Sequence, residues 1–427
     1  MTLSFSNSLL LKAYSSLWTI LRPVLARNKR LRHGLNQRLV PDDWATTTDV
    51  WVQAASGGEA YLSWELLKHL PVNVSEGRAF NLLLTTCTLQ GMEVLEKAKA
   101  WCAEHRPDLT IQLRYFPFDK PSLMRKALRL AAPRAVALLE TELWPGLLAA
   151  CKERDVPVAV LNGRMNTRSL AGYLATPSLW KELRPETVLA ISECDVRRYA
   201  ALFGERSMHV MHNMKFDRVQ PVDTEAPNPL LNTVLKENTP LVTLGSVRME
   251  EEPEVQMLIR KLREARPKTS IALIPRHMER VVSWEAWLRR EGVDMVRRSA
   301  VDAPPAPGTV ILWDEFGELN HAYALSRAVF VGGSLAPLGG QNFLEPLAFG
   351  VTPVIGPSYS NFAWAEGLID DKLVQVAGDV NEVFEQLLRN LKRPAVRDKV
   401  QKQFSEWLAL RQGGSDAAVN ALLTVMQ

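Results

Sequence analysis

A chain of 427 residues with 47% hydrophobic and 23% charged content has room for two or three domains and the balance of an ordinary folded globular protein. Its four cysteines, Cys87, Cys102, Cys151 and Cys194, are widely spaced with no C-x-x-C, which excludes a disulfide framework and a zinc site and fits a reducing compartment. The net charge of +4 is uneven: residues 1–40 carry seven Lys/Arg and no acid, so the rest of the chain stands at −3 and no nucleic-acid footprint covers it.

The basic segment is also apolar. Leu10, Leu11, Tyr14, Leu17, Trp18, Leu21 and Leu25 recur close to helical spacing, among Lys12, Arg22, Arg27, Lys29, Arg30, Arg32 and Arg38. The run is too short and broken to span a bilayer, and it lacks an A-x-A-like cleavage site. It predicts an in-plane amphipathic helix, with residues 1–33 on an anionic membrane surface. The alternative is a helix docked on the protein's own core with solvated arginines.

From about residue 50 the pattern alternates. Apolar runs at 49–56, 80–88, 110–118, 134–141, 156–162 and 187–192 read as buried strands, with helical stretches such as 61–70, 91–105 and 147–155 separating them. Continuous apolar strands interleaved with helices predict a parallel sheet covered on both faces. Pro, Asn and charge gather near 220–240, which reads as a linker between a domain at 41–220 and a second at 241–400. The alternation resumes at 240–247, 269–276, 293–298, 309–314, 327–334 and 351–357, and residues 401–427 read as helical.

Several strand ends carry polar residues. In "QAASGGEAYLSWELL" a strand ends at Ala55, Ser56, Gly57 and Gly58 make a tight turn, and a helix begins near Glu59. Glu59 reads either as a general base or as a helix-start carboxylate stabilised by the dipole. In "LLETELWPG", Glu140 and Glu142 stand at i, i+2 on one face of an extended strand. They read as site acids or as an acid-rich helix start. "LNGRMNTRSLAGY" offers Asn162, Arg164, Asn166 and Arg168, with the arginines suited to an anion, or a loop with solvated side chains. In the second half, Gly245 and Ser246 end one strand, and Arg276 and His277 follow another, where an Arg could hold a phosphate or stay solvated.

The densest stretch is "FVGGSLAPLGGQNFLEPLAFGVTPVIGP", residues 330–357. Asn342 and Glu345, three apart, could cap a short helix. Gly332, Gly333, Gly339 and Gly340 exceed what a cap needs and could let a phosphate reach backbone N–H groups. Glu345 could then accept both hydroxyls of a ribose.

This stretch, together with "ASGGE", "ETELWPGLLAACKERDVPVAVLNGRMNTRSLAGY", "MKFD" (214–217) and "IPRHMER", resembles the 3-deoxy-D-manno-octulosonic acid (Kdo) transferases of lipopolysaccharide synthesis, in the family's motif order over residues 50–365. The resemblance implies a GT-B fold: two Rossmann-like α/β/α domains whose parallel sheets face a central cleft, plus the N-terminal amphipathic helix. It implies an inverting, metal-independent transfer of Kdo from CMP-Kdo to a lipid A precursor, with no cofactor, at the cytoplasmic face of the bacterial inner membrane.

By motif match, Glu59 would be the base, and Ser56, Gly58, Glu140, Glu142 and Arg164 would lie on the acceptor side. Arg276 and the Gly332–Gly333–Ser334 loop would bind the donor phosphate, with Gly245, Ser246, His277, Gly339 and Gly340 nearby, and Asn342 and Glu345 would hold the ribose. Gln53, Gln341 and the stretch "GSVRMEEE" stand where members of the family usually carry a His, which marks a divergent member. The alternatives are a GT-B transferase or epimerase with another nucleotide sugar, or a non-catalytic relative that binds lipid or nucleotide.

Overall fold

The computed structural model describes residues 3–25, 33–72, 74–75, 77–219, 222, 227–236 and 238–427. It divides into two compact units, one of residues 1–218 and 411–427 and one of residues 219–410.

The first unit opens on helix α1 (Phe5–Leu25). Seven parallel strands follow: β1 (Val50–Ala54), β2 (Phe80–Thr86), β3 (Leu109–Tyr115), β4 (Ala135–Leu139), β5 (Val158–Gly163), β6 (Thr187–Ala190) and β7 (Met208–Val210), in the order β3-β2-β1-β4-β5-β6-β7. Helix α2 (Gly57–His69) leaves the carboxyl end of β1, and α3 (Pro145–Glu153) follows β4. The second unit repeats the plan with β8 (Leu241–Val247), β9 (Ser270–Pro275), β10 (Met295–Arg297), β11 (Val310–Leu312), β12 (Ala328–Val331), β13 (Pro353–Ile355) and β14 (Gln375–Val376), all parallel in the order β10-β11-β9-β8-β12-β13-β14. Its helices include α4 (Leu319–Leu325) before β12, α5 (Leu344–Ala348) after it, and α6 (Arg397–Ala409). The last helix, α7 (Gly414–Val425), belongs to the first unit.

The strands form where the apolar runs are because both faces of each sheet are covered, so β1, β4, β5, β8 and β9 are buried at every position. In each sheet the order reverses beside the first strand of the unit, β1 or β8, and in open α/β sheets ligands bind beyond the carboxyl ends at such a point. Two sheets of seven parallel strands with surrounding helices make this the GT-B fold. β7 and β14 have no counterpart in the sequence reading, because edge strands of three and two residues leave no apolar run to detect.

Two details qualify the expected organisation. In the segment read as a linker, Leu230, Val234 and Leu235 are buried against β8, β9 and β11 of the second unit. The C-terminal helices separate: α6 stays with the second unit, while α7 packs Ala418, Val419 and Leu422 into the first. Asp217 anchors that return by accepting the N–H groups of Gly413 (2.8 Å) and Ser415 (2.6 Å) at the start of α7.

Helix α1 docks on its own unit and also keeps an apolar outer face. Asn7 and Leu11 are buried, Trp18 lies 5.6 Å from Phe118, and the Tyr14 hydroxyl donates to Asp119 Oδ2 at 2.9 Å. Phe5, Leu9, Leu10, Leu17, Ile20 and Leu21 remain exposed. The basic residues Arg27, Lys29, Arg30 and Arg32 lie outside the described residues.

Candidate active site

The first cluster is built at the carboxyl ends of β1 and β4. The chain leaves β1 through Ser56, which is the N-cap of α2. Its hydroxyl accepts the Glu59 N–H at 3.4 Å, and Glu59 Oε2 accepts the Ser56 N–H at 2.6 Å. This is a reciprocal capping box, so the helix-start reading of Glu59 is realised. The base reading survives beside it, because the cap engages Oε2 while Oε1 carries no hydrogen bond among the described residues. Glu59 is 7% exposed. Burial raises its pKa, the Glu140 charge raises it further, and Lys215 pulls it back.

Glu140 and Glu142 reach this cluster by a different route from the one predicted. β4 ends at Leu139, and Glu140 adopts a left-handed backbone with φ of 56°, so the two residues are not on one face of an extended strand. Glu140 Oε1 instead pairs with Lys215 Nζ at 2.5 Å. Glu142 Oε2 accepts from Trp144 Nε1 at 2.7 Å and from Gln53 Nε2 at 3.5 Å. Burial first, and then the Glu59 charge, push the Glu142 carboxyl up to about 8. Two neighbouring carboxyls with such displaced values can divide proton acceptor and proton donor work.

Arg164 is half-buried, and its carbonyl accepts the hydroxyls of Thr141 and Tyr199. Asn162 is fully buried and accepts the Met214 N–H at 2.9 Å, while Asn166 caps the next helix through Ser169 N–H at 2.7 Å, so both serve the backbone. Gly58 lies in the first turn of α2. Lys215 and Gln53 are the members that sequence reasoning left without a role. The signal for Lys215 was the quoted "MKFD", where a lone cation sits between buried Met214 and Phe216.

In the second unit, Gly245 and Ser246 end β8, and the pairing with β9 shifts register between Leu244 and Val247. Ser246 has φ of 56° and is buried. A bulge with strained backbone at a strand end is a common way to aim a side chain at a ligand. Arg276 follows β9, its N–H bonded to the Val247 carbonyl at 2.8 Å. Its guanidinium is exposed and forms no ion pair among the described residues, and His277 beside it is exposed too.

The glycine loop corrects the phosphate expectation. Glu251, fully buried, accepts the N–H groups of Arg248 (2.9 Å), Gly333 (2.5 Å), Ser334 (3.2 Å) and Leu335 (3.3 Å). Gly332 donates to the Gly245 carbonyl, Gly340 to the Gly333 carbonyl, and Gly339 to Ser358 Oγ. The amides assigned to a phosphate are therefore already satisfied, by a protein carboxylate and by the loop itself. Gly332 is required because a Cβ there would stand 2.4 Å from Glu251 Oε1. Burial raises the Glu251 pKa against the downward pull of the amides. Asn342 does order the start of α5, accepting the Leu344 N–H at 3.2 Å and donating to Glu345 Oε1 at 2.9 Å.

Comparison with known proteins follows this geometry. Residues 27–218 match the family model described as 3-Deoxy-D-manno-octulosonic-acid transferase (kdotransferase). The chain is 32% identical over 381 residues to the 3-deoxy-D-manno-octulosonic acid transferase of Bordetella pertussis, covering 87% of this chain and 86% of that one. It is 28% identical to the same-named transferase of Haemophilus influenzae, over 80% of this chain and 77% of that one. The chain belongs to the Kdo transferase family. It is a glycosyltransferase, and Kdo is the sugar that it transfers. Among solved structures, UDP-GlcNAc 2-epimerase from Neisseria meningitidis bound to UDP-GlcNAc aligns with a TM-score of 0.54 at 13% identity, over 88% of this chain and 99% of that one, which is a likeness of fold.

Glu251→Ala leaves buried N–H groups unpaired and should cost about 1–3 kcal/mol, read as a lower urea midpoint; an unchanged midpoint would show that the loop does not depend on Glu251. The Glu142 pKa is raised on folding, so its stabilisation is complete below the unfolded value and fades as pH rises through about 8. The stability of the wild type relative to Glu142→Gln should therefore fall between pH 5 and pH 9 in urea titrations, and a flat difference would contradict the assignment.

Proposed function

We propose that this Kdo transferase is an inverting, metal-independent enzyme that takes Kdo from CMP-Kdo and attaches it to a lipid A precursor at the cytoplasmic face of the bacterial inner membrane. The observation that carries the reading is Glu59, a buried carboxylate with one oxygen in its cap, the other without a hydrogen bond among the described residues, and its pKa raised. A carboxyl tuned upward is a better base near neutral pH. The acceptor hydroxyl oxygen attacks the anomeric carbon of Kdo and gives its proton to Glu59. The bond from that carbon to the phosphate oxygen breaks, and its electron pair leaves with CMP. Attack opposite the leaving phosphate inverts the anomeric centre.

The neighbours of Glu59 have complementary work. Lys215 holds Glu140 and moderates the negative field. Glu142, with its carboxyl pushed up to about 8, is protonated at neutral pH and can donate a hydrogen bond to the acceptor. On the donor side Arg276, exposed and without an ion pair among the described residues, meets the monophosphate. Glu345, with Asn342 fixing one of its oxygens, meets the ribose. No cofactor, metal or nucleic acid enters this scheme.

Membrane association rests on α1. No helix among the described residues is long and apolar enough to cross a membrane. The outer face of α1 is nonetheless apolar, with Phe5 at 88%, Leu9 at 60% and Ile20 at 72% exposure. Such a face with basic flanks suits in-plane binding to anionic lipid.

Glu59→Gln should lower Kdo transfer from CMP-Kdo to a lipid A precursor by about 10²–10⁴-fold. It should leave the melting temperature nearly unchanged, since Gln also serves the capping box; undiminished transfer would remove Glu59 as the base. The double substitution Leu9→Glu, Ile20→Glu should abolish co-sedimentation with phosphatidylglycerol vesicles without loss of folding. Retained sedimentation would place the membrane contact elsewhere.

A further inference from the structure

Tyr323 on α4 is fully buried, and its hydroxyl has no hydrogen-bond partner of normal geometry among the described residues. It points at the carboxyl end of β8 so closely that a Cβ on Gly245 would stand 2.3 Å from its oxygen. That close approach explains why residue 245 is glycine. Nearby stands Ser246, on the bulge with positive φ and a side chain close enough to bear on the phenol, and the charges of Glu345 and Arg276 also reach it. Leaving a buried hydroxyl unpaired is costly, and phenylalanine would fill the same volume without that cost. A tyrosine held here is best explained by a hydrogen bond that the ligand-free arrangement does not complete.

We propose that Tyr323 is a positioning residue for the nucleotide donor: its hydroxyl donates to Ser246 Oγ and turns the Ser246 proton toward the donor phosphate. The proposal rests on the reading above that the second unit binds CMP-Kdo. Ser246 is buried but for an 8% opening, so its hydroxyl can address a ligand while Tyr323 stays out of solvent. Arg276 supplies charge to the same phosphate and Glu345 holds the sugar of the same nucleotide, and the charges of both act on the buried phenol beside Gly245 and Ser246. Tyr323 itself touches none of the reacting atoms.

The test is Tyr323→Phe in the full chain, with CMP as the calorimetric probe and CMP-Kdo as the kinetic one. Loss of one hydrogen bond should weaken CMP binding about tenfold and raise the KM for CMP-Kdo similarly. The kcat should stay within about twofold, and the melting temperature should hold or rise, because the variant removes an unpaired buried group. A purely structural tyrosine would instead lower the melting temperature and leave CMP affinity alone, which overturns the proposal. If the wild type binds CMP and the variant binds it equally, the positioning role fails and the donor reading stands. If the wild type does not bind CMP, the donor reading fails and this proposal falls with it.

Discussion

The second unit is organised around one buried charge. Glu251 places its carboxylate where four backbone N–H groups converge, three of them from the loop that leaves β12. Converging amides of this kind form a nest that binds anions, and here the anion is part of the chain. A loop rich in glycine and released from a strand end would otherwise sample many conformations. The carboxylate selects one, with the Gly332 N–H on the Gly245 carbonyl and the Gly356 N–H on Ser334 Oγ. The ends of β8, β12 and β13 are thereby fixed to each other before any nucleotide arrives. Such preorganisation is what a donor site needs, because ordering the loop is not left to the ligand.

The first unit follows the opposite principle. Its acids are not fully matched by donors. Glu59, Glu140 and Glu142 act on one another electrostatically, with Lys215 as the near cation, and burial disfavours the charged forms of Glu59 and Glu142. Glu140 is held by Lys215, while among the described residues Glu142 is held by the neutral donors Trp144 and Gln53. That difference in partners separates the roles of two otherwise equal side chains. Gln53 matters in this respect. It accepts from Thr85 Oγ1 at 2.6 Å, and Thr85 accepts from Trp51 Nε1 at 2.8 Å, so the amide that faces Glu142 is oriented by a buried chain of donors. At position 53 the chain thus has a hydrogen-bonding group but none that titrates near neutral pH.

The architecture was legible because it depends on patterns of long range along the chain. Buried parallel strands must be continuously apolar, and β1 through β6 and β8 through β13 all coincide with the runs read from the sequence, most of them shorter at their ends, with β3 starting one residue before its run and β5 ending one residue after. Boundaries shortened where strand residues turn out of the ladder, as at Glu140. The short edge strands β7 and β14 carried no pattern to read. In the site, residues tied to a strand end were found, whereas partners distant in sequence were not. Lys215 meets Glu140 across 75 positions, and Glu251 meets Gly333 across 82. No local period encodes such a pairing. The i, i+2 argument placed Glu140 and Glu142 in the right cluster for a wrong reason, since it assumed extended backbone where a left-handed residue stands.

The same distance effect explains why counting glycines misled. Four glycines near a helix start indicate close approach to the backbone, and at Gly332 and Gly333 the approaching group is the Glu251 carboxylate. The count could not say whether that group was a ligand or a side chain elsewhere in the chain. With Glu251 on the amides, the donor contact proposed above turns to side chains at the neighbouring strand ends. Arg276 is exposed after β9, and Ser246 sits on a strained bulge after β8. A side-chain cation and a hydroxyl suit a monophosphate, which carries less charge than a diphosphate and needs fewer ligands. The closed nest and the exposed arginine fit that proposal as one arrangement: the loop's amides are used for rigidity, which leaves contact with a leaving group to side chains.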